Sequence, residues 1–490
     1  MKSAPTINDV MRATGVQFGT SGIRGLVDAL TDAHCFAYAY AFLEHIAPGA
    51  ECVAIGHDLR PSSPRIAAAC VAAAERRGCR VLYAGVLPTP ALAWYAQEHA
   101  IPAIMVTGSH IPFDRNGLKF YRADGEICKA DEQAILAASA VDAQGDTSRP
   151  LPPLDPAIVD AYAQRYIQAF QAFGHQSLQG LRVGFYQHSS AGRDIFSDIL
   201  SQLGVDVVPL GRTETFVPID TEAVSEEDRA LALEWAGAGQ FDAIISTDGD
   251  ADRPLISDEH GNWLRGDVVG ILCAQALGIA QVVAPVNCIS SIEACKHFST
   301  VLRTRIGSPY VIDGMQRLRA EDGPLAGFEA NGGFLLGSPV AVGGAPLKAL
   351  PTRDALLPIL ALLRLSLLTK KKLSAIAAAL PKRFSASDRI AGFATVRSAA
   401  LVAAMKKDAA LALKILLPQA TSIVSTNTVD GVRVEFDGGD IVHVRPSGNA
   451  PEFRCIAESS SAVRASELCQ QCLQRVATLP PDFWSGLGCA

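Results

Sequence analysis

The chain has 490 residues, 49% of them hydrophobic and 19% charged, and a net charge of −7 at pH 7. That length suits roughly three to four domains of ordinary size, with apolar side chains enough to fill their cores, which argues against disorder. The acidic balance argues against nucleic acid as a partner, and the longest basic run, Lys370 to Lys372, reads as a solvated helix end.

The amino terminus, Met1-Lys-Ser-Ala-Pro5, lacks the apolar core of a signal peptide, and the expected location is the cytoplasm. Glu51 to Arg60 reads as a strand ending in a polar loop, followed by an alanine-rich helix over Ile66 to Arg77. The apolar run Ala103 to Val106 reads as a buried strand that ends abruptly in Thr107-Gly-Ser-His-Ile-Pro-Phe-Asp-Arg-Asn-Gly-Leu-Lys-Phe120. Ser109 lies just past that strand end, beside His110, with Lys119 further along the same segment. A loop at the carboxyl edge of a sheet exposes a serine hydroxyl in a crevice, where it can carry a covalently transferred group. A surface turn with an incidental serine is the other reading of this segment taken alone.

Thr147 to Pro156, with four prolines, is a candidate linker. Leu181 to Tyr186 opens a second strand–loop–helix, with His188 to Arg193 as its loop and Asp194 to Leu203 as its helix. Another apolar strand, Ala243 to Ile245, runs into Ser246-Thr-Asp-Gly-Asp-Ala-Asp-Arg253. Asp248, Asp250 and Asp252 stand at alternate positions there, and carboxylates this close repel unless a cation or a basic partner neutralises them. An EF-hand loop begins the same way, but its sixth position must be glycine and here it is Arg253, and a strand precedes the loop where a helix is required. Three carboxylates with an external serine oxygen suit magnesium instead. A solvated acidic turn is the alternative.

Gln281 to Val286 opens a third strand–loop–helix, with Asn287 to Ser291 as its loop. Ala355 to Leu368 is the most apolar stretch, yet it is too short for a membrane span and contains Pro358 and Arg364. Past about Leu373 the pattern becomes helix, then strands over Val432 to Phe436 and Ile441 to Val444, then helix. Directly after the strand Ile441 to Val444 comes Arg445-Pro-Ser-Gly-Asn-Ala-Pro-Glu-Phe-Arg454. Its arginines, the Ser447 hydroxyl, the Asn449 amide and backbone N–H groups at Gly448 fit a phosphate, which arginine grips through paired hydrogen bonds. A turn with incidental arginines is the alternative. The twelve cysteines hold one C-x-x-C unit, Cys469 with Cys472 on a helix-like stretch, so zinc is not expected and the thiols read as reduced.

A serine, a cation site and a phosphate clamp in different parts of the chain imply phosphoryl chemistry at a cleft between domains. With these segments the chain resembles the α-D-phosphohexomutases: phosphomannomutase, phosphoglucomutase and phosphoglucosamine mutase. Phe18-Gly-Thr-Ser-Gly-Ile-Arg-Gly25 is similar to the amino-terminal signature, the Thr107 loop to the phosphoserine loop, and Asp248 to Arg253 to the metal loop. Gly327-Phe-Glu-Ala-Asn-Gly-Gly333 resembles the sugar-binding loop, Thr304 to Tyr310 a further substrate loop, and Arg445 to Arg454 the phosphate loop. The likeness runs in the family's order over nearly all of the chain, and its bacterial phosphomannomutase members are the most similar in look.

There are departures. Gly108 and Ile111 replace the usual alanine and asparagine. The sugar loop commonly reads Gly-Glu-x-Ser-Gly-His, whereas here its histidine is missing and Glu-Ala-Asn-Gly is closer to the acetylglucosamine-phosphate mutases. Asn449 and Ala450 stand where threonine and glutamate are usual.

The resemblance implies three similar mixed-sheet α/β domains and a smaller C-terminal α+β domain around a central active-site cleft. Residues 1–150 would carry the phosphoserine loop, 151–258 the metal loop, 259–372 the sugar loop and 373–490 the phosphate loop. It implies Ser109 as phosphorylated nucleophile, with His110, Lys119 and Arg24 as neighbours for acid–base or electrostatic help. A magnesium ion would be held by Ser109, Asp248, Asp250 and Asp252. Arg253, Gly307, Ser308, Glu329, Asn331, Arg445, Ser447, Gly448, Asn449 and Arg454 would bind the substrate. The implied activity interconverts hexose 6-phosphate and hexose 1-phosphate, most readily of mannose, with a sugar 1,6-bisphosphate as intermediate and activator. Glucose or an amino sugar is the alternative substrate. A catalytically silent relative that binds sugar phosphates is the alternative class, which the retained serine, aspartates and arginines oppose. The partners are then small sugar phosphates, with neither nucleic acid nor membrane.

Overall fold

Short, fully buried runs such as Ala103–Val106, Ala243–Thr247 and Leu325–Phe328 form strands at the centre of this chain, and an alanine-rich stretch such as Ser63–Arg76 forms a helix between two strands. The computed structural model describes residues 5–19, 22–141, 146–171, 177–318, 320–343, 345–447 and 451–489. They fall into two units, Met1–Val282 with Gly307–Ala377, and Val283–Ile306 with Ala378–Ala490.

In the first unit a seven-stranded sheet runs in the order Gln17–Phe18, Ile23–Leu26, Arg115–Arg122, Ala103–Val106, Cys52–His57, Arg80–Val86, with Gly125–Glu126 beside Arg115–Arg122. Ala103–Val106 is buried at every residue, the pattern of a strand covered on both faces. It runs parallel to Cys52–His57, then the chain reverses into Arg115–Arg122 antiparallel, with Met105 opposite Lys119. The helix expected from Ile66 begins earlier, at Ser63, because Pro64 presets its first turn and six alanines then favour continuation.

A second sheet runs Pro254–Ile256, Ala243–Thr247, Arg182–Tyr186, Asp206–Leu210. Ala243–Thr247 is parallel to Arg182–Tyr186 and then reverses antiparallel into Pro254–Ile256. Further on, Leu325–Phe328 reverses into Phe334–Leu336, which pairs with Leu350–Asp354. Three times, then, a buried strand ends in a polar loop and the chain returns antiparallel. The loops are 107–114, 248–253 and 329–333, and this shared design positions the site.

The second unit holds a five-stranded antiparallel sheet ordered Phe384–Ala391, Glu452–Ser459, Ile441–Pro446, Val432–Phe436, Ile423–Asn427. Thr395–Lys407 and Ala462–Ala477 supply its main helices. Cys455, Cys469 and Cys472 are buried in its core and, like the other cysteines, are free thiols. The third strand–loop–helix is weaker than its sequence pattern, since the helix Ser291–Ala294 lasts one turn before Lys296 takes a positive φ of 53°. No helix among the described residues is long and apolar enough to cross a membrane.

Candidate functional site

Ser109 is fully buried and has φ of 55°, a left-handed conformation that a residue with a Cβ adopts at a cost of about 1 kcal/mol. Arg60 holds the loop in that shape. Its Nη1 donates to the carbonyls of Pro112 and Arg115 at 2.7 and 2.9 Å, and its Nη2 to those of Ser109 and Ile111 at 2.8 and 2.5 Å. Its Nε pairs with Asp58 at 3.2 Å, and Asp58 accepts from Thr107 Oγ1 at 2.8 Å. Gly108 is required by this clamp, because a Cβ there would lie 2.6 Å from Arg60 Cζ. The alanine usual at that position in the resembled loop would not fit here without displacing the guanidinium.

The 248–253 loop meets the serine loop directly. Ser109 Oγ donates to Asp248 Oδ2 at 2.5 Å, while Asp248 Oδ1 accepts the backbone N–H groups of Asp252 and Arg253, both at 3.2 Å. Lys119 Nζ lies 2.6 Å from Asp250 Oδ2 and 2.6 Å from Asp252 Oδ2, and Thr89 Oγ1 also donates to Asp250. His110 Nδ1 stands 3.5 Å from Ser109 Oγ and 3.0 Å from Arg253 Nη1. An arginine N–H can only donate, so His110 Nδ1 is the acceptor and the imidazole is neutral. Burial, with Arg253 close by, lowers the imidazole to about 3. Arg24 is lowered to about 10 by burial and by Arg253 and Arg353, and so stays charged at neutral pH.

Asp248, Asp250 and Asp252 form the cluster, among the described residues, whose ligand atoms could meet on one metal ion. Oδ1 of Asp250 and Oδ1 of Asp252 are buried without a hydrogen bond. Burial and the two neighbouring carboxylates push Asp248 well above the usual carboxylate range. Asp252 is lowered despite its burial, because Arg353 and Lys119 lie against it. Two orphaned oxygens and a third carboxylate destabilised by its neighbours fit a hard divalent cation.

The 329–333 loop lies in the same unit. Glu329 is buried, and its carboxylate accepts from Arg353 Nη1 at 3.4 Å. Asn331 Oδ1 accepts the Gly333 N–H at 2.9 Å, so that oxygen braces its own loop. Gly307, with φ of 126°, caps the helix Ser308–Arg317, and the Ser308 hydroxyl is buried without a hydrogen bond.

The phosphate-loop residues belong to the second unit. Arg445 and Arg454 are direct partners across adjacent antiparallel strands, on one face of the sheet. Like charges opposite one another destabilise a sheet unless an anion joins them. Arg445 Nη1 lies 3.6 Å from Asp430, and Arg454 donates through Nε and Nη2 to Glu452 at 3.1 and 2.9 Å. Ser447 is buried, with its N–H on the Glu452 carbonyl at 3.0 Å. Gly448 and Asn449 lie outside the described residues, as do Thr20 and Ser21 of the amino-terminal motif.

Sequence reading passed over Asp58, Arg60, Thr89 and Arg353. Asp58 and Arg60 carried a usable signal, a paired acid and base at the carboxyl end of a parallel strand. Thr89 carried none.

The four domain signatures of the phosphoglucomutase/phosphomannomutase family match this chain in order. Alpha/beta/alpha domains I, II and III match residues 15–144, 160–261 and 265–384, and the C-terminal domain matches 370–474. A phosphomannomutase of Salmonella muenchen is 46% identical over 97% of this chain and 98% of its own length. A phosphomannomutase of Sinorhizobium fredii is 45% identical over 93% of this chain and 98% of its own. Among solved structures, a phosphoglucomutase/phosphomannomutase family protein from Burkholderia thailandensis superposes with TM-score 0.74 at 20% identity, covering 94% of this chain and 97% of that one. An Aspergillus fumigatus N-acetylphosphoglucosamine mutase, solved with GlcNAc-6P and magnesium, gives TM-score 0.54 at 15% identity over 87% of this chain and 83% of its own.

Proposed function

The chain belongs to the phosphoglucomutase/phosphomannomutase family, and from that membership we propose that it interconverts mannose 6-phosphate and mannose 1-phosphate. Membership makes it a hexose phosphate mutase, an intramolecular phosphotransferase. The choice of mannose is carried by the 45–46% identity to two phosphomannomutases over nearly the whole chain.

The 1- and 6-hydroxyls of a hexose lie too far apart for direct transfer, so the group passes through the enzyme. Phosphorylated Ser109 gives its phosphoryl group to the free hydroxyl of the bound sugar phosphate. The Oγ–P bond breaks, a bond from the sugar oxygen to phosphorus forms, and the hydroxyl proton passes in net terms to the departing Ser109 Oγ; the return step runs the same exchange in reverse. The resulting 1,6-bisphosphate turns over, and its other phosphate returns to Ser109 Oγ. The same bisphosphate, added from solution, restores a dephosphorylated enzyme and so acts as activator.

Asp248, Asp250 and Asp252 would hold a magnesium ion, together with an oxygen carried on Ser109. When bound, that ion supplies positive charge to the oxygens of the phosphoryl group in transfer. The protein's own cations add to it. Lys119 sits on two of the carboxylates and Arg24 stays charged beside them. Phosphoryl transfer passes through a loose transition state, so such charge compensation matters more than early removal of a proton. His110, neutral and held by Arg253, orients the serine loop. Glu329 and the Asn331 amide group would take the sugar hydroxyls, Gly307 and Ser308 would line the substrate, and Arg445, Ser447 and Arg454 would hold the phosphate not in transfer.

The Glu329-Ala-Asn331-Gly332 loop favours a second reading, an amino sugar. Assaying mannose, glucose, glucosamine and acetylglucosamine 1-phosphates side by side decides between them. Mannose 1-phosphate should show the highest kcat/KM, and a higher value for either amino sugar overturns the assignment.

A further inference from the structure

Arg353 is 2% exposed and lies on the Leu350–Asp354 strand, whose Asp354 pairs with Phe334 at the end of the 329–333 loop. Asp354 turns its carboxylate to the hydroxyls of Tyr162 and Tyr166, so Arg353, one residue earlier on a pleated strand, projects to the opposite face. There its Nε and Nη2 reach Asp252 Oδ2 at 3.1 and 2.9 Å, while Nη1 donates to Glu329 Oε2 at 3.4 Å. One guanidinium therefore spans a carboxylate of the cation cluster and the carboxylate of the sugar loop.

Room for it comes from Gly333. A Cβ at that position would lie 2.5 Å from Arg353 Cδ and 2.7 Å from Cγ. Gly333 is also the position where the resembled sugar loop carries histidine. The space that a side chain at position 333 would need is thus filled by the stem of Arg353.

We propose that Arg353 is a positioning residue that fixes Glu329 for the hexose hydroxyls and at the same time weakens the cation site through its charge beside Asp252. The inference rests on the functional reading above, in which Glu329 takes sugar and Asp252 takes magnesium. It assigns Arg353 effects of opposite sign on the two ligands, a signature that loss of packing does not produce. Without the fork, Glu329 is free to leave the geometry that the ring hydroxyls require. Without the positive charge, the aspartate cluster becomes more negative and attracts a divalent cation more strongly.

The test uses the full-length chain and two readouts: KM for mannose 1-phosphate, and magnesium affinity of the dephosphorylated protein by calorimetry. Arg353→Ala should raise KM by about tenfold and lower the magnesium Kd by about tenfold. Arg353→Lys should return the magnesium Kd to near wild type but leave KM raised, since one ammonium cannot serve both carboxylates as a fork does. Gly333→Ala, which crowds the same side chain without removing it, should raise KM in the wild-type background and add little in Arg353→Ala. An Arg353→Ala protein with unchanged KM, or with weaker magnesium binding, overturns the inference while mutase activity of the wild type still stands. Should Arg353→Ala not fold, an unchanged KM in both Arg353→Lys and Gly333→Ala overturns it equally. A wild type that neither binds magnesium nor turns over hexose phosphates would overturn the functional reading itself, and this inference with it.

Discussion

Ser109 Oγ and Asp248 Oδ2 are joined at 2.5 Å across 139 residues of chain. The bond links the tips of two hairpins from two different sheets, each set by a strand that is buried along its length. Phosphorylation of Ser109 removes the donated proton and adds a charge of about −1.5 to −2 at neutral pH. Asp248 would then face an anion where it now meets a hydroxyl. Under the proposed mechanism the loop pair would pass between two states, and the phosphorylated one would need positive charge between them.

Ser109→Ala tests the covalent role. It removes the oxygen proposed to carry the phosphoryl group and little else, so the fold should persist while sustained turnover falls below about a tenth of wild type, a barrier change above roughly 1.4 kcal/mol. Intact-protein mass spectrometry after incubation with a sugar bisphosphate should show one phosphoryl group on the wild type and none on the variant.

Asp250→Asn tests the cation site. The change keeps shape but removes one of three carboxylates, two of which carry orphaned oxygens. Magnesium affinity measured by titration should fall on the order of tenfold or more. Chelation should silence the wild type and added magnesium should restore it; full activity after exhaustive chelation would refute the reading.

Arg60→Met tests the loop clamp. Four carbonyls lose their shared donor, and the buried Asp58 loses its ion-pair partner. Breaking a buried pair from one side costs about 3–5 kcal/mol. Thermal unfolding should shift down by several degrees. At temperatures where the variant is folded, kcat should still fall at least about tenfold, because Ser109 can relax from its positive φ. A stable variant with wild-type kcat would remove Arg60 from any positioning role.

His443 gives a pH prediction. Burial lowers its imidazole to about 4, against the pull of the Asp430 carbonyl and carboxylate and with Arg445 and Arg433 nearby. Its unfolded value is about 6.5, so the folded state holds it neutral while the unfolded chain takes up a proton below that. The contribution is full above pH 6.5 and is lost as pH falls towards about 4, with a slope of at most about 1.4 kcal/mol per unit. NMR should show the His443 ring neutral down to about pH 4, and His443→Gln should flatten the stability loss in that window. A ring that titrates near 6.5 in the folded protein contradicts this.

How much of this was readable without the structure depends on where each residue finds its partners. Ser109 and the three aspartates announced themselves because each sits within a few residues of an apolar strand end, a local pattern. Arg353 did not, since its partner Asp252 lies 101 residues away and its charge is not unusual among its chain neighbours; Arg60 carried a local signal beside Asp58, but not its reach to the Ser109 carbonyl 49 residues on. Asn331 was readable as a polar loop residue, but not that its side-chain oxygen closes its own turn, which follows from the hairpin's three-dimensional path. The register that sets Arg445 opposite Arg454 is likewise a property of the folded sheet. Only the strand ending at Val444 was evident there; the strand Glu452–Ser459, and with it the pairing that aligns two like charges, was not.

Arg445→Ala tests the phosphate clamp, and with it the turning of the intermediate. Arg445 and Arg454 are opposed across two strands, and arginine's fork recognises a phosphate while ignoring the ring attached to it. A sugar that must bind in two opposite orientations presents first one phosphate and then the other to the same place, so one clamp has to serve both. Charged hydrogen bonds of this kind contribute roughly 1.5–3 kcal/mol each. KM for the 1-phosphate and for the 6-phosphate should therefore both rise by about ten- to a hundredfold, with phosphorylation of Ser109 by the bisphosphate retained. Steady-state kinetics run in both directions measure this. A defect confined to one direction would show that the clamp is not shared, and the intermediate would then have to exchange its phosphates without presenting each in turn to Arg445.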